Sequence, residues 1–405
     1  MDIYAKILEI CLDQSFDFFS SLPCSYNIDL IQKLENLDGI YKCESGNTLK
    51  HVPLVREESG VVLNAGAALT GRKTAMILQN QGLGNMLGQM LSFNSQMEGS
   101  YKIPNLYIIS HRGSSGEKIS AQKPMGKISS DILDLVDIKY KIIESLSDLD
   151  NIAELFEEFK NAISIALLVK PDYEDPPERI HSIQDPIRKF SSYKFQGYEI
   201  QPTLKRFDVL KTIMKVIKEE FMLTNIGHPS RELYNIRDRP QNFYLTSSLG
   251  QCYMLGLGVV LGLEKTEIKQ KVICTDGDGA ILMNASSLSI VAHQAPENLI
   301  IIILDNGVYG STGNTDTYAS KNVNISDLAL AYGFSSSKIF TISTDKELVE
   351  KLNYSLRNKG PFFLHVIITD DFEKVPTIQI SNIEIKERFV NSINERKHNQ
   401  NVSNK

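Results

Sequence analysis

Short apolar runs alternate with stretches of helical period along this chain, and the alternation occurs twice. Strands joined by crossover helices in a mainly parallel sheet give that pattern, so the sequence predicts an α/β protein with two such units. In the first half a helix over about 1–20 precedes the strand-like run at 51–55 and a helix over 57–70. Strands at 74–79 and 106–110 flank a helix that follows the glycines at 82–84, and helices near 129–136 and 148–162 lead to a strand at 163–169. The second half restarts with a helix over 206–221, a strand at 243–248 and a helix through 250–263. Strands at 271–276, 298–304, 340–343 and 361–368, with helices over 284–295 and 345–357, complete it.

A chain of 405 residues exceeds one ordinary core. The boundaries read as a domain over 1–170, a linker over 171–204 punctuated by prolines and charges, a second domain over 205–380, and a polar tail over 381–405 whose last dozen residues are expected to fray. The two domains suggest an old duplication at the level of architecture.

With 43 basic against 49 acidic side chains, the net charge of −6 supplies no overall field for nucleic acid or anionic lipid. An anionic ligand must be held by a few local cations. The five cysteines are odd in number and lack CxxC spacing, which argues against a disulfide framework or a zinc site and for reduced, mostly buried thiols. The N-terminal stretch lacks the layout of a signal peptide, and no apolar run reaches the roughly 20 residues of a membrane helix. A cytoplasmic protein without membrane partners is the expectation.

The sharpest motif is Asp276-Gly277-Asp278-Gly279-Ala280, directly after the strand-like KVICT, followed 25 residues later by Asp305-Asn306-Gly307-Val308-Tyr309 after NLIIIIL. That separation fits one crossover helix between parallel strands, so both loops should open at the same carboxyl edge. Glycines beside Asp278 let the backbone approach a diphosphate at a helix start. Asp278 and the Asn306 side-chain oxygen are hard ligands suited to Mg²⁺, and the Val308 carbonyl is a third. A lone DGDG is more often an acidic turn or a calcium loop; the second loop at that distance favours the cofactor.

This spacing resembles the GDG to NN motif of thiamine-diphosphate enzymes, with Asp305 in place of the first asparagine. The longer LDNGVYGSTGNTDTYAS resembles the diphosphate half of sulfopyruvate and phosphonopyruvate decarboxylases, and GHPSRELYNIRDRPQNFYLTSSLGQ matches the same half. ILQNQGLGNMLGQMLSFN and IISHRGSSGEKISAQKPMGKI are similar to the other half, a separate subunit in some organisms, with Gln81 where a small serine is expected. The resemblance covers roughly 50–135 and 225–335. It implies two thiamine-diphosphate-binding domains, pyrimidine-type then diphosphate-type, as if alpha and beta halves were fused.

Such a cofactor needs a carboxylate at the pyrimidine ring to favour the tautomer that deprotonates its reactive carbon. The family places a Glu nine positions before a helix Gly, and counting back from Gly66 gives Glu57, with Glu58 second. An acidic pair at a helix start ordinarily complements the dipole. Leu249 aligns with the bulky residue beneath the bent cofactor, although a leucine there is otherwise core. Cofactor contacts are further assigned to Ser247, Ser248, Gly277, Asp278, Gly279, Ala280, Asn306 and Tyr309, with Thr246 nearby.

For the substrate, the loop after 110 offers His111, Arg112, Lys118 and Lys123. Arg112 is preferred because a guanidinium holds an oxyanion through two parallel hydrogen bonds, while His111 suits a proton relay. Half or more of these charges would ordinarily be solvated loop residues. Asn80 and Asn85 complete the substrate set. The resemblance implies decarboxylation of sulfopyruvate to sulfoacetaldehyde, on the route to coenzyme M, with phosphonopyruvate as the runner-up. It also implies a homodimer at least, because the two half-sites come from different chains. A cofactor-free scaffold subunit is disfavoured by the presence of Glu57, Asp278 and Asn306, and carboligase chemistry by the lack of room for a third domain.

Overall fold

A computed structural model describes residues 3–43, 46–173, 200–264, 266, 268–312 and 314–403, with side chains in the last helix to 397. Most of the expected linker, 174–199, lies outside the described residues. Two six-stranded sheets account for the two runs of alternation, and every strand pairing within them is parallel.

The first sheet contains β1 (Phe18–Ser21), β2 (Lys50–Pro53), β3 (Thr74–Gln79), β4 (Leu106–Ser110), β5 (Lys139–Ile143) and β6 (Ile165–Val169), in the order β2-β1-β3-β4-β6-β5. Its helices are α1 (Ile3–Asp13), α2 (Ile28–Leu37), α3 (Glu57–Leu69), α4 (Leu83–Phe93), α5 (Lys123–Leu135) and α6 (Ala153–Lys160). The second has β7 (Phe221–Thr224), β8 (Asn242–Tyr244), β9 (Val272–Gly277) and β10 (Leu299–Asp305). A two-residue ribbon follows, β11 (Val308–Tyr309) with β12 (Thr315–Asp316), then β13 (Ile339–Ile342) and β14 (Phe362–Ile367), giving the sheet order β13-β14-β10-β9-β7-β8. Its helices are α7 (Arg206–Val216), α8 (His228–Ile236), α9 (Cys252–Gly262), α10 (Asp278–Met283), α11 (Leu288–Gln294), α12 (Ile325–Ala331), α13 (Asp345–Arg357) and α14 (Asn382–Ser403).

Ile300 to Ile303 in β10 are wholly buried, as a strand covered by helices on both faces must be. The direction of strand order reverses between β7 and β9, where the two crossovers diverge and leave a crevice at the carboxyl ends.

The two domains share one core. α3 and α9 are buried almost all round, the composition of helices sandwiched between layers rather than laid on a surface. They touch backbone to backbone: a Cβ on Gly66 would lie 2.2 Å from the Leu255 carbonyl oxygen, and one on Gly258 would lie 2.0 Å from that of Leu63. Tyr101 stacks on Phe93 and packs against Phe243, while its hydroxyl donates to the Tyr244 carbonyl at 2.7 Å. The same oxygen accepts the Thr246 amide at 3.1 Å, so the first domain anchors a loop of the second.

The polar tail expected from 381 forms the helix α14, Asn382–Ser403. Ile385, Phe389 and Ile393 recur every four residues along one stripe and are buried, with Phe389 against Phe221 and Phe243. Lys397 reaches the Thr70 carbonyl across the domain boundary at 2.7 Å. All five cysteines are free and buried, in line with the sequence. Among the described residues no helix is long and apolar enough to cross a membrane.

Candidate active site

β9 ends on Gly277 and α10 begins on Asp278, while β10 ends on Asp305, so the two loops meet side by side at the carboxyl edge as their spacing predicts. They line one cleft with Leu249: Gly277, Asp278, Gly279 and Ala280 from the first loop, and Asn306, Val308 and Tyr309 from the second. Gly279 admits no side chain, because a Cβ there would lie 2.2 Å from the Tyr309 ring. Ser248 and Gly250, both with positive φ, flank Leu249 and turn it outward, leaving it 38% exposed although it is apolar. Ser247 and Ser248 do not line the cleft; the Ser248 hydroxyl is buried without a partner.

The metal reading can be tested on the oxygen geometry. The Asn306 amide atom that faces Asp278 stands 3.2 Å from Asp278 Oδ1 and 2.8 Å from the Val308 carbonyl oxygen. With nitrogen in that place both contacts are hydrogen bonds; with oxygen there, which also accepts the Val308 amide at 3.3 Å, three acceptors face one another and a cation among them would offset their repulsion. Ligand oxygens at roughly 2.1 Å from Mg²⁺ are about 3.0 Å apart along an octahedral edge, so the cradle fits that ion. Among the described residues no three His, Cys, Asp or Glu side chains cluster as a metal site. Thr317, unassigned from the sequence, donates its hydroxyl to Asp278 Oδ2. Burial, with the nearby Asp305 charge, pushes the Asp278 carboxyl up to about 6.

The cleft includes residues that sequence reasoning left unassigned. Asn225, just after β7, and His228, the first residue of α8, border it on either side of Gly227 at φ +92°. His228 falls in the family-like string that opens at Gly227 and Asn225 lies two residues before it, but nothing local marked either side chain. His228 stacks on Phe372 at 4.4 Å, and burial, reinforced by the Arg206 charge, lowers its pKa. Arg206 also borders the cleft, yet its guanidinium is spent on Glu232 through bonds of 2.9 and 3.0 Å.

The other half-site gathers at the carboxyl edge of the first sheet. Glu57 opens α3 and takes the Asn85 amide at 3.0 Å. Gly82 leaves the space that the Glu57 side chain fills, since a Cβ there would lie 2.5 Å from Glu57 Cγ. Glu58 turns away, pairing one oxygen with Arg56 and burying the other without a partner. His111 Nε2 lies 3.0 Å from the Gly126 carbonyl, and its Nδ1 is buried and unpartnered. Gln81 donates to Gln122 Oε1 at 2.9 Å, joining the start of α4 to the residue before α5.

Two expected substrate ligands are corrected. Arg112 is buried and holds Glu117 through Nε at 2.7 Å and Nη2 at 3.1 Å, with its guanidinium carbon 4.9 Å from the centre of the Tyr26 ring. Glu117 also accepts the amides of Gly113 and Ile119, and Arg112 above all holds its carboxyl down to about 2. Asn80 is wholly buried and its amide is used at both ends, by the Arg112 backbone at 2.7 and 3.1 Å and by Ser129 at 2.9 Å. Both residues build the loop rather than face a ligand. Lys118 donates to the Tyr173 carbonyl at 3.2 Å, whereas Lys123 is exposed at the start of α5. Removing one partner of a buried ion pair costs about 3–5 kcal/mol, so Arg112→Ala is expected to lower the denaturation midpoint sharply in an urea titration. A change confined to KM would contradict the structural role.

Among the described residues, those that line the metal cleft all come from 206–311, and Glu57 is not among them. Exposed apolar side chains lie beside the two half-sites: Val55 and Leu249 in loops and Met283 at the end of α10.

A family model described as thiamine pyrophosphate enzyme, C-terminal TPP binding domain, matches residues 225–366. Sulfopyruvate decarboxylase of Methanosarcina acetivorans is 32% identical over 402 residues, covering 97% of this chain and 98% of that protein. Phosphonopyruvate decarboxylase of Streptomyces viridochromogenes is 29% identical over 381 residues, covering 91% of this chain and 89% of its own. The crystal structure of benzoylformate decarboxylase from Polynucleobacter necessarius aligns with a TM-score of 0.66 at 13% identity, over 92% of this chain and 99% of that one, a likeness of fold alone.

Proposed function

The chain belongs to the sulfopyruvate and phosphonopyruvate decarboxylase group of thiamine-diphosphate enzymes, and from that premise we propose that it converts 3-sulfopyruvate to sulfoacetaldehyde and carbon dioxide. The observation that carries the reading is the convergence of Asp278, Asn306 and the Val308 carbonyl at the end of a crevice between parallel strands. Thiamine diphosphate, when bound, supplies the electron sink that lets a carboxylate leave a 2-oxo acid. Asp278, Asn306 and Val308 would hold Mg²⁺ against its diphosphate. Leu249 would support its bent form. Glu57, kept in place by Asn85, would fix the proton on the pyrimidine ring.

Lys123, exposed at the start of α5, takes no part in the contacts that hold Arg112 and Lys118, which supports it as a contact for the substrate's second anion. Lys123→Ala is expected to raise KM about tenfold with kcat within a factor of two, the loss of one charge-assisted hydrogen bond of roughly 1.5 kcal/mol. An unchanged KM would remove Lys123 from the site. His111, with Nδ1 buried and unpaired, suits delivery of the proton that completes the aldehyde.

Because no described residue of the first domain lines the metal cleft, we assign Glu57 to the cleft of a second copy in a homodimer. Phosphonopyruvate is the second reading, favoured by the relative of that name and by the near isosterism of the two acids. Carbon dioxide release from sulfopyruvate, phosphonopyruvate and pyruvate, measured side by side, tests the assignment. Sulfopyruvate is expected to give the highest kcat/KM, and preference for either of the others overturns it.

A further inference from the structure

Asp305, the residue standing where the general motif has an asparagine, has two oxygens with different partners. Oδ1 accepts the Gly307 amide at 3.0 Å, and Oδ2 meets His365 Nε2 at 2.7 Å. His365 lies on β14 in register with Ile303 of β10, and it is buried. Its Nδ1 stands 3.0 Å from Ser326 Oγ in the first turn of α12. Ser326 Oγ stands 2.7 Å from Thr341 Oγ1 on β13. One ring nitrogen therefore faces a carboxylate, which only accepts, and the other a hydroxyl, which can donate. These neighbours assign the proton to Nε2, donating to Asp305, with Nδ1 accepting from Ser326. The connected groups cross three adjacent strands and end at the amide in the middle of the ligand-bearing turn.

The Ser, His and Asp types are those of a hydrolase triad, but the arrangement does not serve one. Ser326 is buried against Thr341 and borders neither cleft beside the loop, so no acyl group can reach its oxygen. The set acts on the turn instead. Asn306 and Val308 present their oxygens from either side of Gly307, whose φ is +71°. Fixing the Gly307 amide fixes the separation of those two ligands.

We propose that His365 is a positioning residue for the metal turn, acting through Asp305, and that a carboxylate stands at 305 because both of its oxygens must accept. An asparagine there would offer one acceptor and turn an NH₂ group toward His365 Nε2. This inference rests on the Mg²⁺ and thiamine-diphosphate reading above. Hydrogen-bond partners that orient metal ligands typically alter metal affinity by about 10- to 100-fold when removed.

Calorimetric titration of Mg²⁺ into the metal-free protein at saturating thiamine diphosphate tests it. His365→Gln places an amide nitrogen near the position of Nε2 and is expected to bind Mg²⁺ within threefold of the parent. His365→Asn reaches Ser326 but not Asp305, and is expected to bind at least tenfold more weakly while kcat at saturating Mg²⁺ stays within threefold. Ser326→Ala, a milder change that frees the ring on its other side, is expected to weaken binding threefold or more, and decides the matter if His365→Asn does not fold. Equal affinity across the folded variants overturns the proposal, as does an equal loss for His365→Gln and His365→Asn. A parent protein that takes up neither Mg²⁺ nor cofactor overturns the underlying reading instead.

Discussion

Glu57→Gln is expected to lower kcat by about 10²- to 10⁴-fold, the usual worth of a positioned acid-base group, while Mg²⁺ and thiamine diphosphate still bind within a few-fold. Glutamine has nearly the same shape, keeps an oxygen for the Asn85 amide, and fits the space left by Gly82. Only the proton affinity of the side chain changes. Steady-state carbon dioxide release together with calorimetric cofactor binding separates the two effects. Glu58→Gln is the internal control: Glu58 is buried and paired with Arg56, so its replacement should shift stability more than turnover. If the outcomes were exchanged, the activating role would belong to Glu58.

Asp278→Ala is expected to abolish Mg²⁺ uptake and, with it, measurable cofactor binding. With the Asn306 oxygen turned toward the ion, Asp278 would be the one charged ligand of three, and its loss would leave an amide and a carbonyl, which attract a divalent cation weakly. The variant should nonetheless fold well. In the metal-free protein Asp278 ionises only above about 6, a value raised over that of an unfolded carboxylate, so stability falls as the pH climbs from about 4 toward 6. Binding Mg²⁺ favours the ionised form and reverses that loss. The rise in Tm produced by Mg²⁺ and cofactor should therefore be large at pH 7 and shrink at pH 5, with affinity falling about tenfold per pH unit below 6. Asp278→Ala should show no such rise at either pH, and its metal-free Tm at pH 7 should match or exceed that of the parent, as expected when an uncompensated buried charge is removed. A ligand-dependent rise in the variant would contradict the assignment.

The parts of this fold that could be read from the sequence are those in which local pattern and burial agree. β3, β4, β6, β9, β10 and β14 are apolar runs bounded by polar turns, and each lies in the middle of its sheet. The strands that escaped notice are short or at edges. β1 is four residues that continue the apolar period of α1, and β7 is four residues that follow α7 so closely that a single helix was expected over 206–221. β5, with lysines at two of its five positions, borders only β6 and reads as a charged loop. In α14 three apolar residues spaced by four lie among polar ones, and their burial depends on a groove that the other domain helps to form.

The same division holds at the site. Asp278, Asn306 and Val308 meet where glycine spacing after a strand placed them, and Leu249, placed by the resemblance alone, lines the same cleft. Arg112 was misread because its partner, Glu117, sits five residues away in an irregular loop where sequence gives no facing rule. Asn80 was misread because its partners at 112 and 129 lie on other elements. Thr317 and His365 went unassigned for the same reason: each reaches the metal loop only through the tertiary fold.

The claim that one chain's Glu57 serves the metal cleft of another can be decided by mixing two inactive variants, Glu57→Gln and Asp278→Ala, under conditions that exchange subunits. A mixed dimer with sites shared between chains has one site carrying both lesions and one carrying neither, so activity should return to roughly a quarter of the parent value at equal amounts. Mixed dimers that form, as shown by differently tagged chains, yet stay inactive would mean that each site is built within a single chain.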